Sequence, residues 1–129
     1  MKTNHWLVVL GVLGGVGCGG DSTMNGETKP GVENARTTAI TNVVGDDCDT
    51  AARCEEIGTG KSFATRAACE SERQSFWSDR WSTASCEGKI NADKLQACRQ
   101  AIRDLLCNNL TDQLKTYNTT CAASEVCGG

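Results

Sequence analysis

The sequence holds a single histidine, His5, and it lies at the very start of the chain, ahead of every cysteine. If that start is a leader that is removed, as argued below, no imidazole remains. Ser-His-Asp and Cys-His nucleophilic sites, histidine metal centres and ordinary imidazole acid–base chemistry are then excluded. Proline is equally scarce, with Pro30 alone. Beyond Pro30 the aromatics are only Phe63, Phe76, Trp77, Trp81 and Tyr117. No stretch of any length alternates apolar and polar residues with a period of two, so strands are not supported. No apolar run can cross a bilayer as a helix, which needs about 20 residues; the run at 6–17 has twelve. Paired carboxylates are the one acid–base option left. Asp46-Asp47 and Glu55-Glu56 do not mark such a pair, because helix neighbours point in different directions. The expectation is a protein that is not an enzyme, with no catalytic residue, no cofactor and no metal.

What is present begins with "MKTNHWLVVLGVLGGVGC". One lysine, a short apolar run and small residues at a boundary describe a removed signal peptide. Gly15-Val16-Gly17-Cys18 resembles a bacterial lipobox, in which the cysteine becomes the lipidated first residue, although Gly15 stands where leucine is usual. The competing reading is ordinary secretion with Cys18 as a free thiol. Two or more acyl chains on Cys18 would anchor the protein stably to a membrane it does not span. Gly19 rather than aspartate follows, which favours the outer over the inner membrane. The segment 18–37 carries little that could be buried and reads as a tether, since too little apolar surface is available to offset its ordering entropy. The expected organisation is a leader at 1–17, a lipidated cysteine and flexible tether at 18–37, and a cysteine-rich domain at 38–129.

That domain holds eight cysteines: Cys48, Cys54, Cys69, Cys86, Cys98, Cys107, Cys121 and Cys127. In an exported domain of this size an even count reads as a disulfide framework, with 105 connectivities open. Zinc sites use closely spaced pairs with two to four intervening residues, and the closest spacings here leave five. A core of about 90 residues gives only a few kcal/mol of net stability. Each bridge adds about 2–4 kcal/mol, so the bridges are expected to be structural.

Helical periodicity surrounds them. Ile40, Val43, Val44, Cys48 and Ala51 form one stripe, weakened by Gly45. Cys54 sits about 120° round that helix from Cys48, so these two are not expected to bond each other. Thr65 is a plausible cap for a second helix, with Ala68, Cys69, Phe76, Trp77 and Trp81 on its apolar side. Asn91 caps a third, where Leu95, Cys98, Ile102, Leu105 and Leu106 repeat through Cys107. Leu110, Leu114, Tyr117 and Cys121 form a last stripe. The predicted fold is all-α, a small disulfide-stapled bundle of three or four helices joined by short links.

Two local patterns invite functional readings. The stretch "CEEIGTGKS" imitates the end of a phosphate-binding loop, but Glu55 stands where that loop needs its first glycine and would repel phosphate. Gly58 and Gly60 are better read as residues that turn the chain between helices. On the second helix Arg73, Trp77, Arg80 and Trp81 are a candidate binding face, with guanidinium groups for an anion and rings for stacking. The plainer reading pairs Glu70 with Arg66 and Arg73 on a solvated stripe and puts the aromatics in the core. Without Lys2 the chain has twelve basic against sixteen acidic side chains. Neither nucleic acid nor nucleotide is an expected partner.

The run "AARCEEIGTGKSFATRAACESER", followed by W-S-D-R-W-x4-C-x-G-K-I-N-x3-L-Q-A-C and a terminal C-x5-C, resembles a family of small cysteine-rich lipoproteins of unknown function from myxobacteria. Some members carry names that link them to natural-product biosynthesis. The resemblance implies no catalytic residue. Taken together, the expectation is a non-enzymatic module, anchored by lipid to the cell envelope, that binds an envelope protein or a cell-wall component. The alternative is an accessory protein that holds a hydrophobic small molecule or assists an exported biosynthetic enzyme. A carboxylate-based hydrolase is a distant third.

Overall fold

The computed structural model describes residues 30–86 and 89–128, with side chains from residue 35 onward. The expected leader, Cys18 and the first part of the expected tether lie outside the described residues. The described chain is helical, with α1 at Pro30–Arg53, α2 at Arg66–Arg80, α3 at Thr83–Cys86, α4 at Ala92–Arg103, α5 at Leu110–Asn118 and α6 at Ala123–Val126. The fold is the predicted small all-α, disulfide-stapled one, with two short helices added, α3 in what reads from sequence as a link and α6 beyond the last predicted stripe.

The caps expected from sequence are made. Thr65 Oγ1 accepts from the Ala68 amide at 3.1 Å, and Asn91 Oδ1 accepts from the Lys94 amide at 3.1 Å. Asn109 does the same for Asp112 at 3.0 Å. Each satisfies a donor that the first helical turn would leave orphaned. Gly58 and Gly60 both take positive φ, and the Gly58 amide donates to the Phe63 carbonyl at 2.8 Å, so this loop turns the chain back toward α2. Glu55 also has positive φ, which puts the left-handed residue after α1 ahead of the glycines.

α1 is the central element, packed against both α2 and α4. Its predicted stripe is buried throughout, and the helix runs unbroken through Gly45. It begins at Pro30 rather than at residue 38, so the end of the expected tether is helical. Proline suits a first helical position, where its missing N–H would have had no partner. Arg36 gives this extension a tertiary role. Its guanidinium donates to the carbonyls of Trp81 at 2.5 Å and Ser78 at 3.0 Å, placing a cation at the negative end of α2.

All eight framework cysteines are bridged: Cys48–Cys69, Cys54–Cys107, Cys86–Cys127 and Cys98–Cys121. The first ties α1 to α2. The second ties the chain just past α1 to the α4–α5 loop. The third joins α3 to the residue after α6, and the fourth joins α4 to the turn after α5. Cys48, on α1, and Cys54, just past its end, take different partners.

Two expected stripes are corrected. α4 ends at Arg103, and the chain leaves the helix at Asp104 instead of continuing to Cys107. Leu105 is buried, but Leu106, carried into the loop that reaches Cys54, is 67 % exposed. On α5 only the C-terminal half is covered. Thr116 and Tyr117 are buried, while Leu110 and Leu114 are 65 % and 50 % exposed. Helical spacing aligns these residues on one side, but among the described residues that side stays largely uncovered at Leu110 and Leu114.

Candidate functional site

The four residues of the candidate binding face do not form one. Trp77 and Trp81 are fully buried at the centre of the core. Each indole N–H has a partner, as a buried indole requires: Trp77 donates to Asp47 Oδ2 at 3.0 Å and Trp81 to the Cys121 carbonyl at 2.9 Å. Arg73 turns inward, 3.5 Å from Asp47 and within 6 Å of the rings of Phe63, Phe76 and Tyr117. Arg80 lies over Phe76 and donates to the Tyr117 carbonyl and to Asn118. These side chains clamp α2 onto α1 and α5. Of the ion pairs predicted from Glu70, that with Arg66 forms at 2.9 Å. Arg73 is committed to Asp47 instead.

Asp47 is the node that sequence reading missed. It is 2 % exposed and accepts from Trp77 and from the Tyr117 hydroxyl, the latter at 2.6 Å, in addition to facing Arg73. Burial pushes the Tyr117 hydroxyl well above its ordinary range, and the nearby Asp47 charge pushes it further. The phenol therefore stays protonated and serves as a donor. A buried aspartate facing an arginine, with both lone-pair sides occupied, is a structural arrangement and offers no free base. Its neighbour Asp46 works on the other side of α1, accepting from Arg99 at 2.5 Å and Arg103 at 3.1 Å to hold α4.

Above Asp47 and Arg73 opens a cleft of about 240 Å³. The Cys54–Cys107 bridge and Leu105 form one wall, and Glu56, Leu106 and Leu110 stand at the margin. This volume lies below the roughly 300–1,000 Å³ usual for small-molecule sites, and the lining mixes charged, amide and apolar groups. Leu106 and Leu110 continue outward to Leu114, and these are the exposed large apolar side chains of the described residues. Two broader grooves elsewhere, beside Lys94 and Glu125 and beside Thr41 and Gln74, include none of them. The spacing 106, 110, 114 is visible in sequence, but only the break after Arg103 turns it outward. Because the eight framework cysteines are bonded to one another, none of these offers a thiolate to a metal.

Residues 48–129 match the sequence model of a family described as a family of unknown function (DUF6184). The chain belongs to the DUF6184 family. The matched span opens at Cys48, the first bridged cysteine, and takes in the whole framework and the residues lining the cleft other than Asp47. No curated protein and no solved structure matches the chain. What makes this DUF6184 chain a binding candidate is thus its own geometry: an open cleft and an adjoining leucine ridge, held by a disulfide, on a surface otherwise laced with ion pairs such as Arg66–Asp49 and Lys94–Glu125.

Proposed function

We propose that this protein is a non-enzymatic, lipid-anchored lipoprotein of the cell envelope, of the kind known from myxobacteria, that docks another envelope protein. The observation that carries the docking reading is the leucine ridge beside the cleft. Leu106, Leu110 and Leu114 are exposed together where scattered single leucines would need no explanation. Four bridges suit an oxidising, extracytoplasmic compartment. The anchor rests on the leader and Cys18, with the outer membrane favoured.

Geometry supports a partner on the side away from the anchor. α1 has 24 residues and is about 36 Å long. The chain enters at its N-terminal end, whereas Cys54 pins the ridge-bearing loop at the other. The stretch from Cys18 to Pro30 reaches at most about 40 Å when fully extended. With α1 upright, bringing the ridge to the anchoring membrane would stretch that segment almost completely, at a high entropic cost.

Two measurements test the two halves of the reading. An intact mass of the native protein, alkylated without reduction, is expected to fit residues 18–129 plus acyl chains with no alkylated thiol. A mass without lipid removes the anchor. For docking, Leu106→Ser with Leu110→Ser is expected to abolish crosslinks to envelope proteins while leaving stability unchanged. Crosslinks that persist place the contact elsewhere.

A further inference from the structure

This inference rests on the docking reading and concerns the chemistry of what docks. Around the ridge the cations are already used. Arg73, which lines the cleft, is held in an ion pair with Asp47 at 3.5 Å although its buried Nε makes no hydrogen bond, and Arg53 donates to the carbonyls of Arg103 and Leu105 at 3.0 and 2.9 Å, closing the end of α4. Lys115 lies about 100° round α5 from Leu114, off the ridge. Apart from Asp47, the carboxylates beside the ridge are not used. Glu56 lines the same cleft as Leu106 and Leu110, and among the described residues its carboxylate has neither an ion pair nor a hydrogen bond. Glu55 beside it and Asp112 in the first turn of α5 are also without a cation among the described residues.

We propose that the cleft and ridge receive an amphipathic helical segment of a partner protein that carries apolar side chains together with a lysine or arginine, and that Glu56 pairs with that cation. A basic side chain suits the cleft in both of its parts. Its apolar stem can lie along Leu105 and Leu106 while the charged head reaches Glu56. The volume of about 240 Å³ accommodates one such side chain rather than a larger free ligand. The same carboxylates disfavour the other occupants. An anionic lipid surface would be repelled, and a second copy docked through this face would bring like charges together.

The test titrates the full, oxidised protein with two synthetic amphipathic helices, one of leucine and lysine and one of leucine and glutamate. The leucine–lysine helix is expected to bind, and more weakly at about 1 M salt, where the screening length falls to about 3 Å. Glu56→Gln is expected to weaken it about two- to fivefold, the range of a single ion pair near the surface. Glu56→Lys should shift preference toward the leucine–glutamate helix, while Glu72→Gln on α2 changes nothing. Leu106→Ser with Leu110→Ser should abolish binding, and both positions are exposed enough for the fold to tolerate it. Equal binding of the two helices overturns the charge assignment and leaves the docking reading standing. Binding of neither, or binding indifferent to the leucines, overturns both. Retention on anionic vesicles, or dimerisation in sedimentation, that disappears with the leucine substitutions assigns the ridge to lipid or to a second copy and overturns the proposal.

Discussion

Replacing Asp47 by leucine tests how the interior is held together. The carboxylate accepts from the Trp77 indole at 3.0 Å and the Tyr117 hydroxyl at 2.6 Å, and lies 3.5 Å from Arg73 Nε. Leucine brings similar bulk, so little of the cost is cavity formation. What is lost is the acceptor for two buried donors, at about 1–3 kcal/mol each. A guanidinium that keeps only 19 % of its side chain exposed also loses its counter-charge. Gln113 donates to the Tyr117 oxygen at 3.1 Å and does not replace the lost acceptor, but Arg73 can turn toward the cleft, so the charge contribution falls at the low end. The expected loss is about 3–5 kcal/mol, as for removing one partner of a buried pair. That is a large share of the roughly 5–15 kcal/mol that holds a domain folded. Adding Arg73→Met removes the stranded charge, so the double variant should be more stable than Asp47→Leu alone by about 1 kcal/mol or more. Guanidinium unfolding with the bridges intact, followed by tryptophan fluorescence, reads both differences, provided the slope is unchanged. A loss below about 1 kcal/mol for Asp47→Leu, within the ordinary range for a substitution, refutes the reasoning. So does a double variant no more stable than the single.

Three further outcomes follow from the same contacts. Tyr117 is the only tyrosine, so phenolate absorbance reports on it alone. Because its folded pKa is raised, its contribution to stability is fully present below about pH 10 and is drawn down progressively above it. The folded protein should show almost no phenolate at about pH 11, whereas the unfolded chain titrates near 10; coincident titrations would mean that the hydroxyl is not buried. Replacing Cys54 and Cys107 with serine opens a loop spanning 53 residues and should cost about 4 kcal/mol by loop entropy. It should also speed amide exchange across residues 104–110, and unchanged exchange there would mean that the bridge does not hold the ridge. Arg36→Ala should cost about 1–2 kcal/mol and speed amide exchange in the last turn of α2; no effect would mean that the start of α1 is not docked.

The local features were readable because their causes are local. A threonine or asparagine at a helix start bonds an amide three residues on, so Thr65 and Asn91 announce their helices without reference to the rest of the chain. Eight cysteines in an exported-looking domain likewise imply four bridges, but no spacing rule selects one connectivity from 105. The candidate face on α2 misled for a related reason. An arginine and a tryptophan look the same in sequence whether they meet solvent or Asp47, and the plainer reading, with aromatics inside, matches the burial of Trp77 and Trp81.

By itself, the sequence determined the helical class, the positions of the capped starts and the presence of a disulfide framework, because caps and apolar periodicity depend on residues near one another in the chain and the framework on the count of cysteines. Tertiary structure alone decided which cysteines meet, that Asp47 gathers Trp77, Tyr117 and Arg73, and that Leu106, Leu110 and Leu114 stay outside. The physical reason is coverage. A repeat of apolar residues fixes which side of a helix they share, but whether water is excluded from that side depends on what the rest of the chain lays against it.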